Sequence, residues 1–135
     1  MPAAGTPTFT LDADEMEMGV GIHGEPGRRR VKLGTADAIA DEMTATIMRD
    51  LGNPDAGETL LLINGFGGTP LIELYLMYNA ARRLIEKRGL RVARSLVGSF
   101  VTSLEMAGCS ITVSLLDAET AALWDHPVRT AALRW

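Results

Sequence analysis

Apolar and small or charged residues alternate from Met16 onward. Met16, Met18, Val20 and Ile22 share one side, and Glu17, Gly19, Gly21 and His23 share the other. Period two is the mark of a strand, so the pattern predicts one over 16–23. Phe9 to Leu11 is a candidate short edge strand, and residues 31–34 are a candidate second short strand after the turn. From Thr35 the period changes. Ile39, Met43, Ile47 and Leu51 recur every fourth residue beside Ala36 and Ala40, which predicts an amphipathic helix over 35–51. Thr35 is its expected N-cap and Gly52 its expected stop. Thr59 to Ile63 is a continuous apolar run that suits a central strand buried on both sides. It runs into Asn64-Gly65-Phe66-Gly67-Gly68. Thr69 is the expected cap of the next helix, with Pro70 at its first position. Leu71, Leu74, Tyr75, Tyr78, Ala81, Leu84 and Ile85 give that helix its expected buried stripe. Its last turn is basic (Arg82, Arg83, Lys87, Arg88), which suits the helix dipole, and Gly89 ends it.

Three further elements follow. Leu90 to Phe100 reads as a strand with a break or bulge near Gly98. Residues 102–108 read as a loop or short turn, and Ser110 to Leu116 as a strand with Ile111, Val113 and Leu115 on one side. A short helix over 117–124 takes Asp117 as its cap, and the last eleven residues have no regular pattern. Strands alternating with helices imply an α/β fold: a two-layer domain, a mixed β-sheet with helices packed on it. At 135 residues, 1–135 reads as a single domain with a real core.

Composition narrows the function. The chain is 47% hydrophobic, 22% charged and carries a net charge of −4, which argues against nucleic acid or an anionic membrane as the main partner. No apolar run approaches the roughly 20 residues of a membrane helix, and the first residues lack the form of a signal peptide. One cysteine, Cys109, excludes an intrachain disulfide and fits a reducing compartment. The expected location is cytoplasmic. Cys109 is read as a buried thiol rather than a reactive one.

His23 is one of two histidines and is followed by a Gly24-Glu25-Pro26-Gly27 turn. Neutral imidazole is a nucleophile near neutral pH, since its ordinary pKa is about 6.5. Spacing alone leaves two readings open: a reachable nucleophile, or a partly buried histidine that hydrogen-bonds a turn. Arg28-Arg29-Arg30 is either a solvated turn or a cluster that steers a phosphorylated ligand. The 64–69 loop is either an anion site at a helix start or a structural turn, and it lacks the Lys of a Walker loop. No Cys/His set has metal spacing, so no metal ligand is assigned. Trp124 and Trp135 are expected to pack against a domain outside this chain or against a partner.

Several blocks decide which family these residues resemble. Glu17-Met18-Gly19-Val20-Gly21-Ile22-His23-Gly24-Glu25-Pro26-Gly27 resembles the signature of the dihydroxyacetone kinase K-subunit (Dak1) family. So do Leu62-Ile63-Asn64-Gly65-Phe66-Gly67-Gly68-Thr69-Pro70-Leu71, Thr102 to Gly108, and Ala132-Leu133-Arg134-Trp135. The blocks fall in the family's order along nearly the whole chain. The resemblance covers the C-terminal part of the family, so an N-terminal part with the acid/base residues of phosphorylation is expected elsewhere.

The resemblance implies the substrate-binding part of a dihydroxyacetone (glycerone) kinase of glycerol metabolism. His23 would hold a short-chain ketose or aldose as a hemiaminal, and Gly21 and Gly24 would line the substrate-binding loop. No cofactor is expected on this chain. The phosphoryl donor, ATP or an ADP-carrying subunit with Mg fed by the phosphotransferase system, is expected on another domain or on a nucleotide-binding L subunit. The implied partners are dihydroxyacetone, the N-terminal domain, that L subunit and a second copy in a homodimer. Alternatives are a non-catalytic dihydroxyacetone-sensing regulator and a structural dimerisation fragment. Residues 125–131 depart from the family pattern: His126 reads as incidental, and Arg129 stands where the family has a histidine.

Overall fold

The computed structural model describes residues 5, 9–21, 26–102 and 106–135. The chain falls into two compact units, Met1–Thr35 and Ala36–Trp135.

The first unit is built on an antiparallel hairpin, β1 (Glu15–Met18) and β2 (Arg29–Lys32), with Glu15 opposite Lys32 and Met18 opposite Arg29. The strand expected over 16–23 is therefore shorter. Gly19 has φ +74, a left-handed turn that glycine adopts without penalty and that breaks the alternation. Strand geometry does not put Gly21 on the Glu17 side. Phe9 to Leu11 forms no strand, and the second strand starts two residues before the expected 31.

The larger unit runs α1 (Ala36–Asp50), β3 (Gly57–Gly65), α2 (Leu71–Lys87), β4 (Leu90–Gly98), β5 (Cys109–Leu116) and α3 (Ala118–Asp125). Its sheet has the order β4-β3-β5, with β3 parallel to β4 and antiparallel to β5. This is the expected α/β mixed sheet with helices packed on it. A register shift falls between Thr59 and Leu60, opposite Ala93, instead of near Gly98.

The core lies between α1, α2 and one face of the sheet. Leu61, Ile63, Ile111 and Val113 meet Met48, Leu74, Met77 and Ile85 there, all buried. Each fully buried side chain of this size contributes roughly 1.5–3 kcal/mol. Central strand β3 is not buried on both sides: Thr59, Leu61 and Ile63 are fully buried, while Leu60 and Leu62 are half-buried. The other face is covered less completely, which accounts for the difference.

Both long helices are rotated from the expected stripe. On α1 the deepest line is Ala40, Thr44 and Met48, with Ile39, Met43 and Ile47 packed at its flanks. On α2 the buried residues are Leu74, Met77, Ala80, Ala81 and Ile85, while Leu71 and Tyr75 are exposed. The two helices pack on each other. Small buried residues on both allow a close approach, so alanines and a threonine take the centre while longer side chains spread outward. Helix α1 ends as expected. Gly52 (φ +81) donates to Arg49 O, and Asn53 donates to Met48 O at 2.7 Å, the paired bonds of a Schellman stop.

Candidate functional site

His23 and Gly24 lie outside the described residues, as do Ile22 and Glu25. Their frame is described. They fall in the connection between β1 and β2, whose base is closed by Arg28 N donating to Met18 O at 2.7 Å. Two glycines fit that base for steric reasons. A side chain at Gly19 would press on the Arg28 stem, and one at Gly27 would run into the Glu17 carboxylate. The half-buried Gly21 follows Gly19 on the described side of the connection.

Within the cationic run beside it, Arg30 is committed to ion pairs. Arg30 Nε bonds Glu17 at 3.3 Å and its guanidinium reaches Glu15 at 3.8 Å. Lys32 reaches Asp14 at 2.8 Å. Exposed pairs of this kind add little stability, but they fix the register of the hairpin that carries the loop.

In the larger unit, the β3–α2 turn is held by a second group of side chains. Asn64 is buried, with 6% exposure. Its Oδ1 accepts from the amides of Phe100 and Val101, and its Nδ2 donates to Val101 O, each at 2.9 Å. Thr69 does not cap α2. Pro70 is the N-cap residue and no side chain caps the helix. The Thr69 hydroxyl instead donates to Gly108 O at 2.9 Å and accepts from Gly108 N at 2.8 Å. Phe66 N donates to Gly108 O and Gly68 N to Met106 O. Two amides that an anion would need are thus used by the neighbouring segment, which supports the structural-turn reading of 64–69. A Cβ at Gly65 would sit 2.8 Å from both Leu74 Cδ1 and Ser99 Oγ, so those side chains would have to shift to admit one.

Sequence reasoning missed the roles of Asn64 and Thr69. The available signal was a polar residue ending a buried strand, since a buried amide must find partners.

Other candidates resolve into structural parts. Cys109 opens β5 and packs against the core, and burial pushes its thiol pKa up. It is therefore a poor nucleophile. Asp117 caps α3 in a reciprocal capping box with Thr120, whose backbone and side-chain hydrogen bonds hold the carboxyl below its usual range. His126 ends α3, with Nδ1 at 3.3 Å from Pro127 O. Arg129 pairs with Arg134 through a backbone bridge. Trp124 and Trp135, expected to pack against a domain outside this chain or against a partner, stack on each other. Their centroids are 4.8 Å apart, and Trp135 Nε1 donates to Trp124 O at 3.2 Å. The chain end folds back through Val128–Trp135 backbone bonds, which brings the rings together. Among the described residues no three His, Cys, Asp or Glu side chains gather as a metal site. No described helix is long and apolar enough to cross a membrane.

With this fold in place, the comparisons with known proteins converge. The Dak1 domain model matches residues 1–132. The chain is 42% identical to the dihydroxyacetone-binding subunit DhaK of the PEP-dependent dihydroxyacetone kinase of Escherichia coli (strain K12), across 100% of this chain and 45% of that protein. It is 45% identical to the triokinase/FMN cyclase of Rattus norvegicus, across 89% of this chain and 23% of that one. The solved structure of the dihydroxyacetone kinase operon co-activator DhaQ superposes with a TM-score of 0.81 at 32% identity, covering 92% of this chain and 38% of that one. The chain belongs to the Dak1 family. It spans less than half the length of these relatives.

Proposed function

We propose that the chain supplies the ketose-binding part of a dihydroxyacetone kinase, with His23 as the group that holds the substrate. Its support is the family match over residues 1–132, which includes the Gly21-Ile22-His23-Gly24 loop, together with the likeness to a dihydroxyacetone-binding subunit along the whole chain. In this reading Nε2 of neutral His23 adds to the C2 carbonyl. A C–N bond forms and the carbonyl π bond breaks. The new oxygen takes a proton while the ring releases the one on Nδ1, so no atom is lost. An alcohol has no carbonyl to attack, so glycerol is rejected by reactivity where shape discriminates weakly. The adduct fixes the ketose so that its terminal hydroxyl can be aimed at a donor. Gly21 and Gly24 leave room for the ketose beside the ring.

Residues 1–135 act in this reading as one functional piece of a longer catalytic assembly in the cytoplasm. The phosphoryl donor and its Mg come from another domain or a nucleotide-binding L subunit, the acid/base groups from an N-terminal domain, and two copies form a homodimer. Alone, the chain binds but does not turn over.

A second reading is favoured by the DhaQ likeness: a regulator that senses dihydroxyacetone without phosphorylating it. Both readings require binding. They part when the missing parts are supplied, since only the kinase piece then supports phosphoryl transfer.

The binding claim is tested by thermal unfolding with added ligand, because a ligand of the native state raises its stability with concentration. Dihydroxyacetone is expected to raise the midpoint, glycerol at the same concentration to leave it unchanged, and His23→Ala to abolish the shift. Equal shifts with both compounds, or a shift that survives in His23→Ala, would overturn the reading.

A further inference from the structure

We propose that Asn64-Gly65 is a self-modification site, a deamidation centre that the native fold holds silent and that unfolding releases. The chain has three asparagines and no glutamine. Asn53 precedes Pro54, whose nitrogen carries no hydrogen to give up on attacking a side chain. Asn79 precedes Ala80, whose Cβ crowds the approach. Asn64 precedes Gly65, where no side chain hinders ring closure and the backbone turns freely. The step balances without a cofactor. Gly65 N attacks Asn64 Cγ, a C–N bond forms, the Cγ–Nδ2 bond breaks, and ammonia leaves with the proton from Gly65 N. Water then opens the cyclic imide at either carbonyl, giving aspartate or isoaspartate.

In the folded chain two restraints oppose this path. Closing the ring needs the Asn64 backbone to leave the extended conformation, and Asn64 is paired on both sides, to Gly98 in β4 and to Ser110 in β5. Its amide is also held by Phe100 N and Val101 N on Oδ1 and by Val101 O on Nδ2, each at 2.9 Å. The two N–H donors polarise the amide carbonyl and so favour attack on Cγ. Geometry outweighs them, because an attack out of line gains nothing from polarisation and moving the buried amide leaves its partners unpaired.

Conversion also bars return to the native state. An aspartate at this position keeps acceptors for Phe100 N and Val101 N. Its second oxygen meets Val101 O, acceptor against acceptor, and its charge enters a buried site. An isoaspartate adds a backbone atom to the central strand and breaks its register with β4 and β5. A chain left unfolded therefore acquires a one-way mark that keeps it unfolded. This inference is independent of the chemistry proposed for His23.

Peptide mapping of deamidation tests it on the 135-residue chain, held at mildly alkaline pH with and without denaturant. In denaturant Asn64 is expected to convert faster than Asn53 and Asn79. In the native chain its conversion is expected to be about a hundredfold slower than in denaturant. When denaturant is removed, isoaspartate-containing chains are expected to stay out of the folded fraction on size exclusion. Asn64→Asp separates the charge from the extra backbone atom, and is expected to have a lower unfolding midpoint than wild type or no folded state. A native rate within about tenfold of the denatured rate would overturn the inference, as would a denatured Asn64 no faster than Asn79. So would isoaspartate chains that refold, or an Asn64→Asp midpoint equal to that of wild type.

Discussion

Arg94 and Asp125 form a two-pronged ion pair: Nε bonds one carboxylate oxygen and Nη2 the other, tying the end of α3 to strand β4. The planar guanidinium matches a carboxylate in this way and an ammonium does not. The hydrogen bond from Arg94 is the main cause holding the Asp125 carboxyl below its usual range. A carboxylate with a depressed folded pKa stabilises the fold above its unfolded pKa and loses that contribution as pH falls through the folded value. Acidification below the ordinary carboxylate range should therefore loosen the end of α3. Trp124 stands next to Asp125 and stacks on Trp135, so tryptophan near-UV circular dichroism reports it. Asp125→Asn should show the loosened signal at neutral pH and lose most of the acid-induced change. An unchanged acid transition in that variant would place its cause elsewhere.

Gly89 should tolerate no side chain. It closes α2 with φ +94, and a Cβ there would run into the Asp55 carbonyl oxygen. Gly89→Ala is expected to cost about 1–3 kcal/mol from backbone strain, with the clash added. Denaturant unfolding with an unchanged slope would register it as a lower midpoint.

Thr44 is expected to be better replaced. It is 1% exposed, and its hydroxyl is buried without a hydrogen-bond partner among the described residues. Thr44→Val keeps the shape and removes the unpaired group, which should stabilise the chain by about 1 kcal/mol or more. A lower unfolding midpoint would show that the hydroxyl has a role in the native state.

Cys109 should be slow to react. Its folded pKa is raised by burial, so the thiol keeps its proton to higher pH than in the unfolded chain. The sign follows: stability is flat below the unfolded thiol pKa and falls as pH rises above it. At mildly alkaline pH, alkylation of the native chain should be much slower than in denaturant. Equal rates would contradict the packing of β5 against the core.

The order of elements was readable because long periodic segments declare themselves: Ile39, Met43 and Ile47 announced α1, and Leu60 to Ile63 announced β3. What stayed hidden depended on contacts between distant residues. The rotation of α1 onto Ala40, Thr44 and Met48 is set by the approach of α2, which no local period encodes. Thr69 before Pro70 has the sequence of a cap, yet its hydroxyl is taken by Gly108, 39 positions away. Trp124 and Trp135 stack through a fold-back of the chain end that no local period encodes. The alternation through Met16 and Met18 was real, but it did not extend past Gly19, whose left-handed φ shortens the strand. The loop of His23 was picked out by its glycines and by family resemblance.

The most direct test is intact-protein mass spectrometry after incubation with dihydroxyacetone and gentle buffer exchange, on wild type, His23→Ala and His126→Ala. The account predicts a labile gain of one intact dihydroxyacetone in wild type and in His126→Ala, and none in His23→Ala. An adduct that persists in His23→Ala, or none in any of the three, would contradict covalent capture by His23 in this chain.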